Sequence, residues 1–416
     1  MPHKHATFLL LFIVIGVVAG ILSGWFWGEA MAEIAWIGKL FLNALKMLII
    51  PLIIAAVVSG VAALGDVRRL GRIGGITVIY FLATTVIAVA IGLVMVNIIQ
   101  PGNGLEFEST GLSESIAAKE GTGFSDLLLS LVTPNLVASA ANTQLLPLIL
   151  FAIVFSAALT TLGRVGEHVI AFFNGINEAM MKLVTWLMYF APVGIFALVA
   201  GRLGKAGGGD AFVQEIESVG LYIVTVLSGL GLHFLVLMLI LFLISGRGPG
   251  YLLGLLRALF TAFGTASSSA TLPLTMECAR ENGVDLRAVR FVLPLGSTIN
   301  MNGTALYEAV AVMFIAQAYG LDLSIGQQII VLVTATFAAI GAAGIPEAGL
   351  VTMVIVLEAV GLPLEGIGLL LAVDWFLDRF RTSVNVWGDA VGATVLHRFL
   401  PDAEGLQPGE SVELRP

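Results

Sequence analysis

Apolar residues run through this chain in blocks far longer than a soluble helix needs, and polar residues arrive in short clusters between them. A hydrocarbon core of about 30 Å takes roughly 20 apolar residues of helix to cross. Blocks of that length or more lie at Thr7–Trp27, Trp36–Leu64, Ile73–Ile99, Leu127–Leu162, Val169–Val199 and Val219–Ser245, and each predicts a membrane helix. Three exceed one crossing and are expected to tilt or break, with Pro51, Pro134, Pro147 and Pro192 marking the places. The first block follows Lys4 as a secretory leader would. It has no convincing small-residue cleavage site and a second span follows at once, so it reads as mature structure.

The last third is patterned differently. Small and polar runs interrupt its apolar segments at Thr265–Thr271 (TASSSAT), Gly296–Thr304 (GSTINMNGT) and Gly341–Gly349 (GAAGIPEAG). Such runs release backbone groups that lipid cannot satisfy, so they survive only inside protein or beside a water-filled cavity. The order also repeats. A broken segment (Leu252–Ala279) precedes a span (Ala288–Ala318), and a second broken segment (Ile325–Leu357) precedes a final span (Ile367–Phe399). Two such units in series are the trace of an inverted-repeat transporter with its site near the midplane. Pro346 is expected to shape the second tip, or simply to kink it.

Composition agrees with the bilayer as solvent: 58% of residues are apolar, only 12% are charged, and the mean hydropathy is +0.99. A net charge of −8 with scattered basic residues leaves no patch for nucleic acid. A single cysteine, Cys278, excludes an internal disulfide. His3, His5, His168, His233 and His397 show no metal-ligand spacing and read as loop or helix-end residues. No histidine lies near a polar segment in sequence, which removes a serine-hydrolase reading. Arg68, Arg69, Arg72, Arg164 and Arg247 follow alternate spans, so the positive-inside rule puts the N-terminus in the cytoplasm. Arg202 and Lys205 are a mild exception.

The densest chemistry is in the final span, where VDWFLDRFRTSVNVWGDA (Val373–Ala390) carries Asp374, Asp378, Arg379, Arg381 and Asp389. Facing lipid, five such charges would cost roughly 12–17 kcal/mol. At about 100° per residue, Asp374, Asp378, Arg381, Asn385 and Asp389 fall on one stripe roughly 80° wide, with Arg379 off it. That stripe must face protein or water. It is either a structural ion-pair network or a ligand site, and Thr382 and Asn385 add hydrogen-bonding capacity that an ion pair does not need. Arg381 offers a planar fork for a carboxylate, Asp378 can attract an ammonium, Asn385 can donate to a second carboxylate, and Asp389 is left for a cation. An amino group with two carboxylates is an acidic amino acid. On the preceding span Asn300, Thr304 and Glu308 are four apart and share a face. Hydrocarbon disfavours a charged carboxylate, so Glu308 is a candidate proton carrier, or else an interfacial glutamate near a helix end. The Ser267–Ser269 run offers hydroxyls and amides to an anion.

TASSSATLP (Thr265–Pro273), NMNGTALYEAVAVMFIAQ (Asn300–Gln317), GAAGIPEAGLVTMVIVL (Gly341–Leu357) and DWFLDRFRTSVNVWGDA (Asp374–Ala390) together resemble the glutamate transporter family of dicarboxylate/amino acid:cation symporters. YFLATT (Tyr80–Thr85) also resembles its third span. The resemblance implies an all-α membrane fold of eight spans plus two re-entrant hairpins, assembled as a homotrimer in the cell (inner or plasma) membrane with both termini cytoplasmic. It divides the chain into scaffold spans (residues 1–72 and 127–210) and a transport part. The transport part comprises the third span with its outer loop (73–126), the sixth span (211–247) and the core (248–400); a polar tail (401–416) follows.

By the same resemblance Arg381 holds the substrate side-chain carboxylate, and Asp378 with Thr382 its amino group. Asn385 and the serine tip (Ser267, Ser268 and Ser269, chiefly Ser268) hold the α-carboxylate. Thr304 lines the site, and the Gly341–Gly349 tip closes it through Ile345 and Gly349. Sodium, the coupling ion, has three implied sites. One uses Gly296, Asn300, Asn385 and Asp389, a second Thr298 with carbonyls of the outer hairpin, and a third Thr84, Thr85, Asn300 and Asn302. Glu308 matches a position tied to proton or potassium coupling. Three departures stand out. Asn302 replaces the aspartate of the usual NMDGT, which should weaken the third sodium site. Ala266 stands where archaeal relatives have an arginine, whose charge Arg379 could supply. Glu347 stands where animal carriers tend to have a glutamine.

Overall fold

The computed structural model describes residues 3–62, 71–105, 129, 132–142, 144–205, 209–341 and 348–400, and their regular structure is helical throughout. The first half gives α1 (His3–Trp27), a 3-10 turn, α2 (Ala35–Ala62), α3 (Gly71–Ile99), α4 (Leu136–Ala141), α5 (Leu145–Thr160), α6 (Arg164–Met188), α7 (Ala191–Lys205) and α8 (Gly209–Ser245). The second gives α9 (Pro249–Thr265), α10 (Ser268–Glu281), α11 (Leu286–Ile299), α12 (Asn302–Ala318), α13 (Ile325–Gly341), α14 (Ala348–Val360) and α15 (Ile367–Phe399). Among the described residues, four helices are long and apolar enough to cross a membrane, or five if α6 and α7 count as one bent span.

Two of the three over-long blocks break among the described residues. The fourth divides into α4 and α5, with Asn135 capping α4 through hydrogen bonds from the amides of Val137 and Ala138. The fifth bends by 57° between α6 and α7, next to Pro192. Pro51, by contrast, is accommodated within α2.

Packing sorts the helices by neighbour. α1 lies on α7, while α2 contacts α5, α6 and α7. Separately, α3 packs on α8 and α12, and α15 packs on α8, α9, α11 and α12. Each broken segment folds back on itself, α9 against α10 and α13 against α14. The first turn-back is made at Ala266, in the left-handed region at φ +48°, followed by Ser267 capping α10.

Two expectations need correction. The span 288–318 is not one continuous helix: Asn300 and Met301 leave helical geometry (ψ 62° and 58°) and separate α11 from α12. Asn300 therefore does not share a helical column with Thr304 and Glu308, although all three are buried. A polar run deep in protein can open this way because neighbouring side chains take up the freed backbone groups. Here the Gly303 amide donates to Asn385 Oδ1 at 2.7 Å. The second correction is His233, expected at a loop or helix end. It sits mid-way along α8 with no solvent exposure.

Candidate functional site

Helix α15 carries the polar stripe into the interior, as the spacing required. Asp374, Asp378, Arg381, Thr382, Asn385 and Asp389 are all buried. Arg381 has no exposure at all; its Nη1 donates to Asp374 Oδ1 and its Nη2 to Asp378 Oδ1, each at 2.8 Å. The Cζ of the same guanidinium lies 3.9 Å from the centroid of the Tyr307 ring, a cation–π contact that buried surroundings strengthen. Both terminal nitrogens of the fork are therefore held by the protein's own carboxylates, while Nε of Arg381 and Oδ2 of Asp374 have no hydrogen-bond partner. The Tyr307 ring was not legible as a site residue. The one signal was an aromatic beside Glu308 in an otherwise apolar stretch.

Both hairpins reach this part of α15. Arg379 Nη1 donates to the carbonyls of Phe263 and Gly264 at 2.9 Å each, fastening the end of α9 just before the serine tip. Arg379 thus stands beside the tip whose Ala266 lacks a charge. In the tip, Ser267 Oγ accepts from the Ala270 amide at 3.2 Å; Ser268 is buried and Ser269 exposed. The N-terminus of α10 opens here, a place where backbone amides favour an anion. From the other hairpin, Gly349 at the start of α14 presses on the guanidinium: a β-carbon there would lie 2.9 Å from Arg381 Nη1. Gly349→Ala should accordingly lower apparent substrate affinity several-fold with little loss of folded protein, measured by concentration-dependent uptake. Ile345, Pro346 and Glu347 lie outside the described residues, as do any tip carbonyls meant for the second sodium site.

Asn385 is committed to the α11–α12 break. Besides accepting from Gly303, it donates through Nδ2 to Thr304 Oγ1 and Met301 Sδ, both at 3.3 Å. Asp389 Oδ1 accepts from Asn300 Nδ2 at 2.9 Å, and a β-carbon on Gly296 would come within 2.5 Å of that oxygen. Gly296, Asn300 and Asp389 thus converge. Thr85 donates to Asn302 Oδ1 (2.8 Å) or to its own helix at Phe81 (2.8 Å), while the Thr84 hydroxyl bonds only within α3. The Oδ1 of Asn300 is buried without a partner, as an oxygen reserved for a cation would be. Thr298 stands apart, half-buried and donating to Leu295 at 2.9 Å. Glu308 is fully buried near Arg381, beside the Thr352 hydroxyl, which donates to the Gly349 carbonyl. Neither oxygen of Glu308 makes a hydrogen bond of normal geometry.

Broken helices meeting a charged stripe in the interior of an apolar helical bundle have the anatomy of a carrier site, and comparison with known proteins says whose. Residues 9–399 match the pattern of the sodium:dicarboxylate symporter family. The chain belongs to that family. This symporter is 40% identical to excitatory amino acid transporter 3 of Oryctolagus cuniculus, over 93% of its own length and 84% of the relative's. It is 41% identical to neutral amino acid transporter A of Bos taurus, over 93% and 82% of the two chains. It is 38% identical to an excitatory amino acid transporter of Caenorhabditis elegans, over 94% and 87%. Overall identity is thus the same toward relatives named for excitatory and for neutral amino acids, and the substrate must be argued from the site's residues.

Proposed function

We propose that the chain is a secondary active symporter carrying an acidic amino acid, aspartate or glutamate, with sodium. The observation that carries this reading is the Arg381 guanidinium, wholly buried, held by two carboxylates and pressed by Gly349 of the second hairpin, with the neighbouring Arg379 holding the first. A neutral amino acid has no side-chain carboxylate to offer that charge once its α-carboxylate is placed at the serine tip. An acidic one supplies a side-chain carboxylate that takes the place of an aspartate on the fork, freeing Asp378 for the substrate ammonium. The serine tip and the N-terminus of α10 suit the α-carboxylate, and Thr304 and Thr382 line the space between. Asp378 also argues against a plain C4-dicarboxylate, which has no amine to place beside it.

Sodium would be held by Asp389 with Gly296 and Asn300, and by the oxygens of Thr85, Asn300 and Asn302. Transport would follow by alternating access, the helices packed around α15 moving against those packed around α2. Glu308 would carry a proton with the substrate. Glu308→Gln should then remove any stimulation of uptake by an inward proton gradient while leaving sodium-driven uptake measurable. Equilibrium binding to purified protein tests the substrate class. In sodium, aspartate and glutamate should bind at least tenfold more tightly than alanine, serine or succinate, and in choline none should bind well. Equal affinity for serine would overturn the acidic reading.

A further inference from the structure

His233 is the one wholly buried histidine among the described residues, and neither of its ring nitrogens has a hydrogen-bond partner. Leaving such a group bare costs about 1–3 kcal/mol. Helix α8 runs against α12 in a regular ladder. Tyr222 meets Tyr307 and Phe314 (ring centroids 6.2 and 5.1 Å), and Gly229 lies against Leu306, whose Cδ2 would be 3.2 Å from a β-carbon there. As α8 advances its contacts on α12 fall back, so the pair is antiparallel. One turn beyond Gly229 is His233; one turn before Leu306 is Asn302.

A second contact fixes the same register. A β-carbon on Gly388 would lie 3.6 Å from Leu237 Cδ1 and 3.1 Å from Asn302 Nδ2, so the next turn of α8 already touches the ground that Asn302 occupies. Asn302 has no exposure, its Oδ1 accepts from Thr85, and its Nδ2 has no partner. The register thus places a bare acceptor on α8 and a bare donor on α12 at one level of the helix pair.

We infer that His233 is a positioning residue: one water bridges the two groups, accepting from Asn302 Nδ2 and donating to the neutral imidazole, and so fixes which way the Asn302 amide faces. An amide has an oxygen end and an NH2 end. Held by His233, it turns its oxygen toward Thr85 and the unpartnered Oδ1 of Asn300, an oxygen-lined spot suited to a small hard cation. Released, the amide can flip and present N–H groups that repel one. This deepens the proposed sodium coupling and rests on it.

The test is the thermal stability of purified protein titrated with sodium chloride against choline chloride. His233→Phe keeps a ring and removes both nitrogens, with His233→Leu carrying the same test should the first not fold. Either variant should need about tenfold more sodium for a given rise in Tm, with substrate affinity at saturating sodium unchanged, and His233→Gln should restore the sodium response. In choline, His233→Phe should lower Tm in the native background and add little on top of Asn302→Ala. An unchanged sodium titration in His233→Phe, or full additivity with Asn302→Ala, would overturn the inference. A native protein whose Tm ignores sodium would instead sink the sodium reading, while the choline cycle still decides the hydrogen bond.

Discussion

Replacing Arg381 by cysteine abolishes aspartate and glutamate uptake and leaves uptake of small neutral amino acids at or above the native level. The expected loss for acidic substrates is at least about thirtyfold. One partner of a buried charged hydrogen-bonded pair is removed, and such truncations cost about 2–5 kcal/mol. The same substitution strands Asp374 and Asp378, whose carboxylates each bond the guanidinium at 2.8 Å, so some loss of folded protein is also expected. Arg381→Cys combined with Asp374→Asn relieves that strain by removing one stranded charge. Recovery of folded protein in the double variant, with acidic uptake still absent, separates recognition from stability. Arg381→Lys should fare little better, because an ammonium offers a point charge where a planar fork is needed. Undiminished aspartate uptake in any of these would remove the substrate argument.

The second large effect is expected at Asp389. Asp389→Asn keeps the shape of the side chain and a hydrogen-bonding oxygen for Asn300, but removes the one full negative charge facing Gly296 and Asn300. A hard cation binds oxygen ligands chiefly by charge. The sodium concentration giving half-maximal uptake should rise at least tenfold, and uptake at low sodium should vanish, while binding of substrate at saturating sodium is recovered in part. Sodium titration of labelled-aspartate uptake reads both. A variant with native sodium dependence would show that Asp389 serves only to hold the α11–α12 break.

Much of this was legible in the sequence because the bilayer makes polar residues expensive. The final span was expected at Ile367–Phe399 and is helical over those residues, with its charged stripe turned into the protein as the cost of charge in hydrocarbon requires. The first hairpin was marked by TASSSAT for the same reason, and its tip forms at Ala266–Ser267. Less was legible where the choice lay between partners of equal chemistry. The stripe put Asp374, Asp378 and Arg381 together, but periodicity cannot say that both aspartates take the fork and that Tyr307 covers its face. The opening of the helix at Asn300–Met301 was hidden as well. Small polar residues permit a break, but what stabilises it is the side chain of Asn385, more than eighty positions along the chain. His233 was misplaced because a lone histidine in an apolar run carries no period of its own.

A sodium gradient should drive an acidic amino acid through the pocket at Arg381. Purified protein in liposomes, with labelled aspartate outside and sodium or choline gradients imposed at constant pH, measures this most directly. The prediction is accumulation above equilibrium with sodium only, blocked by excess glutamate and untouched by excess alanine or succinate. Accumulation that persists in choline, or that alanine blocks as well as glutamate does, would contradict it.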